Sequence, residues 1–181
     1  MNSWLWYFNR ATGIVALVLG AGALIFGFFF TARATGRKRR PNWWLDLHNW
    51  LGGAAMVFTV VHVAAVYLDK AQGVGVLKVL IPGTGSAGLT VGVIAMYLFA
   101  IAVLTSWPKR LFSRRTWRIL HLLSIPGAVF AALHALWLGS DALNPVFSGV
   151  LIVLTALVIY PAVLRLYSVL SKGASRVRTA V

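Results

Sequence analysis

The sequence has no cysteine and no glutamate, and its only acidic residues are Asp46, Asp69 and Asp141. Without thiols it can form no disulfide, no iron–sulfur cluster and no thiolate-held metal. None of the aspartates falls in the middle of an apolar run, so a carboxylate proton relay or ion path across a membrane has no acid to use. A P-loop is absent as well. No soluble nucleotide-binding domain is expected after the last apolar run.

What fills the chain instead is apolar. Of 181 residues, 60% are hydrophobic, and mean hydropathy is +0.83. Residues 11–32, 47–68, 79–108, 119–140 and 142–164 contain no Asp, Glu, Lys or Arg. A bilayer-spanning helix needs about 20 such residues. In lipid only helices and closed barrels satisfy every backbone group, and runs this long are helical. The expected fold is all-α, a single domain over residues 1–181. It is a bundle of five transmembrane helices at about 9–31, 46–68, 88–107, 117–139 and 145–170. The N-terminal run has no basic region ahead of it and is too long for a signal peptide, so a retained helix is expected.

The net charge is +14, and its placement matters more than its size. Arg33, Arg37, Lys38, Arg39 and Arg40 lie between the first two helices. Lys109, Arg110, Arg114, Arg115 and Arg118 lie between the third and fourth. Arg165, Lys172, Arg176 and Arg178 end the chain. Only Arg10, Lys70 and Lys78 fall on the other side. This positive-inside pattern puts the N-terminus outside and the C-terminus in the cytoplasm. The basic loops then face lipid headgroups rather than nucleic acid. Trp4, Trp6, Tyr7, Trp43, Trp44, Trp107 and Trp117 fall near the expected interfaces as an aromatic belt. The longest loop, residues 69–87 on the outer side, reads as a flexible glycine-rich cap.

All four histidines lie in two of the five helices: His48 and His62 in the second, His121 and His134 in the fourth. With the topology above, both helices run from inside to outside. At the α-helical rise, His48 lies about 3 Å beyond Asp46 and His121 about 4.5 Å beyond Arg118. His62 and His134 each lie about 24 Å beyond the same markers. His48 should therefore face His121, and His62 should face His134. Two imidazoles alone are poor zinc ligands, since zinc sites have three or four protein ligands. The two levels are about 21 Å apart, so all four cannot share one metal. Two trans imidazoles do suit the axial positions of a haem iron. Lacking cysteine, such a haem would be b-type, and two would stack across the bilayer. Helix rotation keeps His48 and His62 on one face, with Gly52 and Ala55 as clearance for a porphyrin. His121 and His134 fall about 140° apart on an ideal helix. Pro126 lies between them, and a distortion there is expected to bring both toward the second helix.

H-x13-H on one helix and H-x12-H on a later parallel one resembles the ferric-reductase-like transmembrane domain family. That family includes the haem cores of NADPH oxidases, ferric reductases and the haem subunit of a periplasmic methionine sulfoxide reductase system. The resemblance covers essentially the whole chain. It implies that His48 and His121 ligate an inner haem b and His62 and His134 an outer one. It also implies electron transfer from a cytosolic donor to an acceptor on the other face. Unlike the oxidases, the chain is expected to carry no flavin- or nucleotide-binding domain, so the donor is expected to be a flavoprotein reductase or a quinol. It also has Gly127 and Ala128 where the oxidases place an aromatic between the haems; Phe58 and Phe130 are substitutes.

Haem propionates need cations, and Arg10 is placed for the outer site, Arg115 and Arg118 for the inner. Trp137, three residues after His134, is placed to pack on the outer haem edge. The expected function is a di-haem b electron-transfer subunit of an oxidoreductase, integral to a membrane that the reading takes as the bacterial cytoplasmic one. Ferric iron, oxygen, quinone or an extracytoplasmic redox protein would be the acceptor. A quinol-linked cytochrome b anchoring a redox enzyme, and a non-redox transporter or scaffold, are the other readings of the same residues.

Overall fold

The computed structural model describes residues 3–32, 43–107, 111–139 and 143–178, and every regular element among them is helical. In chain order these are α1 (Ser3–Ala32), α2 (Trp43–Leu68), a 3-10 turn (Lys70–Gln72), α3 (Val76–Leu80) and α4 (Ala87–Leu104). Then come α5 (Arg114–Leu122), α6 (Ser124–Leu138) and α7 (Pro145–Arg178). Five stretches are long and apolar enough to cross a membrane: α1, α2, α4, α5 with α6, and α7. The expected five-helix architecture is thus present. α7 runs to Arg178 instead of stopping near residue 170. The basic segments 33–40 and 109–110, and Asp141, lie outside the described residues.

Local chemistry sets the helix starts. Ser86 accepts from Leu89 N–H at the head of α4, and Ser113 from Thr116 N–H at the head of α5. Asn144 accepts from Val146 N–H just before Pro145. Each side chain satisfies a backbone donor that the first helical turn leaves free. Proline at the first helical position has no N–H to lose.

Small residues form the buried seams: Ala23, Ala55, Ala65, Ala95 and Ala102 are buried, while Val57, Val60, Leu104 and Ile152 point outward. Water does not drive helices together in lipid, so small side chains that permit close approach mark the interfaces. α1 packs along α2, α4 along α6, and α7 against α1. α2 is not closely packed against α5 or α6. The bundle therefore consists of two tight hairpins with the second and fourth spans facing each other across a looser seam.

The distortion expected near Pro126 is a one-residue interruption of the helical ladder, with Leu123 itself still in the right-handed helical region. α5 ends at Leu122 and α6 restarts at Ser124, with Leu123 N–H bonded to Leu120 at i−3 and Gly127 N–H to Leu123 at i−4. Pro126 has no N–H for the Leu122 carbonyl, so the ladder fails one turn before it. Ser124 Oγ donates to the His121 carbonyl at 2.8 Å and satisfies it locally. A turn wound at three residues instead of 3.6 rotates the chain by about 20° more per residue. That recovers part of the angular deficit.

The loop expected as a flexible glycine-rich cap holds the 3-10 turn and the short helix α3. Asp69 is buried and caps the 3-10 turn, accepting from Ala71 N–H and Gln72 Nε2. Gly73 and Gly83 take the positive φ values that close its turns. Thr84 Oγ donates to the Ile81 carbonyl at 2.7 Å, and Tyr97 OH reaches from α4 to the Leu80 carbonyl at 2.7 Å. Residues 83–88 spell G-x-G-x-x-G, but no strand precedes them, and they form the turn that starts α4. Removing the Tyr97 hydroxyl (Tyr97→Phe) should loosen this segment by about 0.5–1.5 kcal/mol. Limited proteolysis should then cut within residues 69–86 faster than in wild type, with the far-ultraviolet helical signal unchanged.

Candidate functional site

An imidazole inside an apolar bundle must place its N–H on an acceptor or lose its hydration without return. Three of the four do so through Nδ1 onto the neighbouring helix of their own hairpin, and the fourth, His121, meets Ser106 just beyond the end of α4. His48 Nδ1 donates to the Ala23 carbonyl at 2.7 Å, and His62 Nδ1 to the Asn9 carbonyl at 2.9 Å. On the other hairpin, His134 Nδ1 donates to the Gly88 carbonyl at 2.9 Å. His121 Nδ1 lies 3.0 Å from Ser106 Oγ. A carbonyl can only accept, so in the neutral ring the proton sits on Nδ1 and the lone pair on Nε2. Metal-binding histidines are usually oriented in this way, by a hydrogen bond to the ring nitrogen that does not face the metal.

The rings then meet in the pairs expected from their levels. His48 and His121 have ring centroids 5.7 Å apart at 70° between planes, and His62 and His134 are 6.3 Å apart at 80°. With metal–imidazole bonds of about 2 Å, two trans imidazoles on one metal place their centroids roughly 6 Å apart. Among the described residues no cluster of three or more His, Cys, Asp or Glu exists. Each pair thus supplies two nitrogens and no more. A metal centre there needs its remaining donors from a non-protein ligand, as the four pyrrole nitrogens of a porphyrin provide. The donor sets fit two such groups.

Close approach is enforced by three glycines. A Cβ on Gly13 would stand 2.9 Å from His62 Cε1, and one on Gly27 3.1 Å from His48 Cε1. A Cβ on Gly92 would collide with His134 Nδ1. Each of these glycines follows, by four residues, the carbonyl that its histidine uses, except that Ser106 stands at the His121 site. Sequence reasoning missed this shell. Its signal is nonetheless present: Gly13 and Gly27 on α1, and Gly92 on α4 with Ser106 just beyond its end, repeat the fourteen-residue step of His48 and His62.

The other residues singled out from sequence distribute differently. Gly52 faces α1, where its Cβ would stand 4.0 Å from Ala23, and Ala55 is 0% exposed. Ala55 is thus close-packed, whereas Gly52 is half-buried and leaves room for a Cβ. Arg10 has its guanidinium 4.0 Å over the Trp6 ring. Arg115, Arg118 and Trp137 are exposed, and Phe58 and Phe130 are half-buried. Trp117, assigned above to the interfacial belt, stacks on His121 at 5.1 Å and 17°. Asn9 is 8% exposed, and its Oδ1 has no hydrogen-bond partner among the described residues. It leaves a buried polar group at the His62 level.

Residues 12–132 match the sequence profile of a family described as ferric reductase like transmembrane component. The chain belongs to that family. The matched stretch contains His48, His62 and His121 and ends two residues before His134. No curated protein and no solved structure matches the chain significantly. Ferric-reductase-like domains are in general haem-binding, and membership makes the chain a transmembrane redox component. That removes the non-redox transporter or scaffold from the readings above.

The glycine shell is testable. Gly92→Ala should lower the haem-to-protein ratio by displacing His134, whereas Gly20→Ala, with nothing within 4 Å of its Cβ, should not. Alanine is the better helix former by about 1 kcal/mol, so propensity alone predicts no loss in either variant. A haemochrome assay on the purified variants reads the ratio.

Proposed function

We propose that the protein is a di-haem b electron-transfer subunit, with His48 and His121 holding an inner haem and His62 and His134 an outer one. The observation that carries this reading is the pair of facing imidazoles at each level, with the Nδ1 of His48, His62 and His134 held by a carbonyl of the neighbouring helix and that of His121 beside the Ser106 hydroxyl. Bound haem b supplies reversible one-electron chemistry. The chain's own part is to hold the four rings, exclude water with its apolar helices, and space the two sites across the membrane. Electrons enter from a cytoplasmic-side donor, a flavoprotein or a quinol, and leave to an acceptor at the outer face. The exposed Arg114, Arg115 and Arg118 at the start of α5 make the inner end favourable for an acidic donor surface or for anionic headgroups. The placement of the N-terminus outside rests on the basic-loop asymmetry.

Purified protein should give a haem b spectrum with two haems per chain by pyridine haemochrome assay. His62→Ala and His134→Ala should each remove the same single haem, and His48→Ala and His121→Ala the other, as separated by redox titration of the remaining absorbance. Folded protein that takes up no haem when haem is supplied would defeat the proposal. Loss of one and the same haem from His48→Ala and His134→Ala would defeat the pairing.

A further inference from the structure

Three of the four histidine tethers share one plan. The ring donates to a helix carbonyl, and a glycine stands four residues on: Asn9 with Gly13, Ala23 with Gly27, Gly88 with Gly92. At the fourth, the corresponding carbonyl is that of Ala102, and the glycine position is Ser106. α4 ends at Leu104, so Ser106 N–H turns to the Val103 carbonyl at i−3. The Ser106 hydroxyl donates to the Ala102 carbonyl at 2.7 Å. That uses its one proton. Oγ therefore meets His121 Nδ1 at 3.0 Å and Trp117 Nε1 at 3.3 Å as the acceptor of both. The hydroxyl has stepped in between the carbonyl and the ring, and the Trp117 indole stacked on His121 shares it.

We infer that Ser106 is a positioning residue that sets the inner haem apart from the outer one. By giving His121 a shared hydroxyl where the other histidines have a backbone carbonyl, it raises the reduction potential of the iron that His121 holds. The inference rests on the di-haem reading. A strongly accepted Nδ1–H makes an imidazole more basic and favours the more positively charged ferric iron. An amide oxygen carries more negative charge than an alcohol oxygen, and this alcohol also serves Trp117. His121 is thus the weaker electron donor of the four, and its iron is easier to reduce.

The test is potentiometric titration of the full chain carrying its haems, with low-spin ferric resonance spectra alongside. Ser106→Gly restores the plan of the other three sites and lets His121 donate to the Ala102 carbonyl. It should lower one of the two midpoints and leave the other in place. Trp117→Phe keeps a stacked ring but frees a lone pair of Oγ, and should move the same midpoint in the same direction by less. Ser106→Thr keeps the hydroxyl and should match wild type. Unmoved midpoints in Ser106→Gly and Trp117→Phe, or a shift of both haems together, overturn the proposal while leaving the di-haem reading intact. Wild-type protein that binds no haem overturns both.

Discussion

The bond from a histidine Nδ1–H to a carbonyl on the adjacent helix governs the arrangement of this protein. An imidazole is costly in a bilayer unless its proton is placed, and a helix carbonyl has a second lone pair to receive it. Reaching that lone pair requires the two helix backbones to come close, which is why glycine stands beside His48, His62 and His134. The tight α1–α2 and α4–α6 packing follows from the same requirement. Once Nδ1 is committed inside the hairpin, Nε2 can only point out of it, toward the opposite hairpin. Pairing between hairpins is therefore a consequence of bonding within them.

The fourth span shows the same constraint acting against regular helix geometry. Thirteen residues separate His121 and His134, and an unbroken helix would turn them to different sides. The break between Leu122 and Ser124 relieves this, with its cause three residues later in a proline that cannot bond to Leu122. Ser124 then covers the His121 carbonyl. The span is interrupted next to His121, and the placement of its two histidine rings comes from tethers at either side of the interruption rather than from the helix itself.

How much of this the sequence disclosed depended on the periodicity involved. The five spans were legible because their length and lack of charge answer directly to bilayer thickness. The histidine levels were legible because rise per residue is constant, and the rings of His48 with His121 and of His62 with His134 do meet. The tethers were not, because their acceptors are backbone carbonyls that every residue has. Gly52 and Ala55 were read as clearance on the ligand face, yet small residues on α2 also serve its contact with α1, and composition does not tell the faces apart. The turns of the loop at 69–87 were less legible, because glycine signals permit turns without saying what holds them. Its order comes from Asp69 and from Tyr97, which lies on another element.

The two hairpins obey a common plan that their sequences barely share. In each, one span carries small residues fourteen apart, at or just beyond its end, and the other carries the histidines they receive. The plan holds fully on α1, which extends well past both Gly13 and Gly27. On the second hairpin α4 is too short: it covers Gly92 but stops before position 106. A glycine there would sit beyond the helical ladder and leave the Ala102 carbonyl without its i+4 donor. Serine supplies that donor from its side chain and, in doing so, becomes the acceptor for His121. The chemical difference between the fourth histidine and the other three thus originates in the length of a helix. A supporting span two residues short is enough to exchange a carbonyl for a hydroxyl beside one histidine of the four.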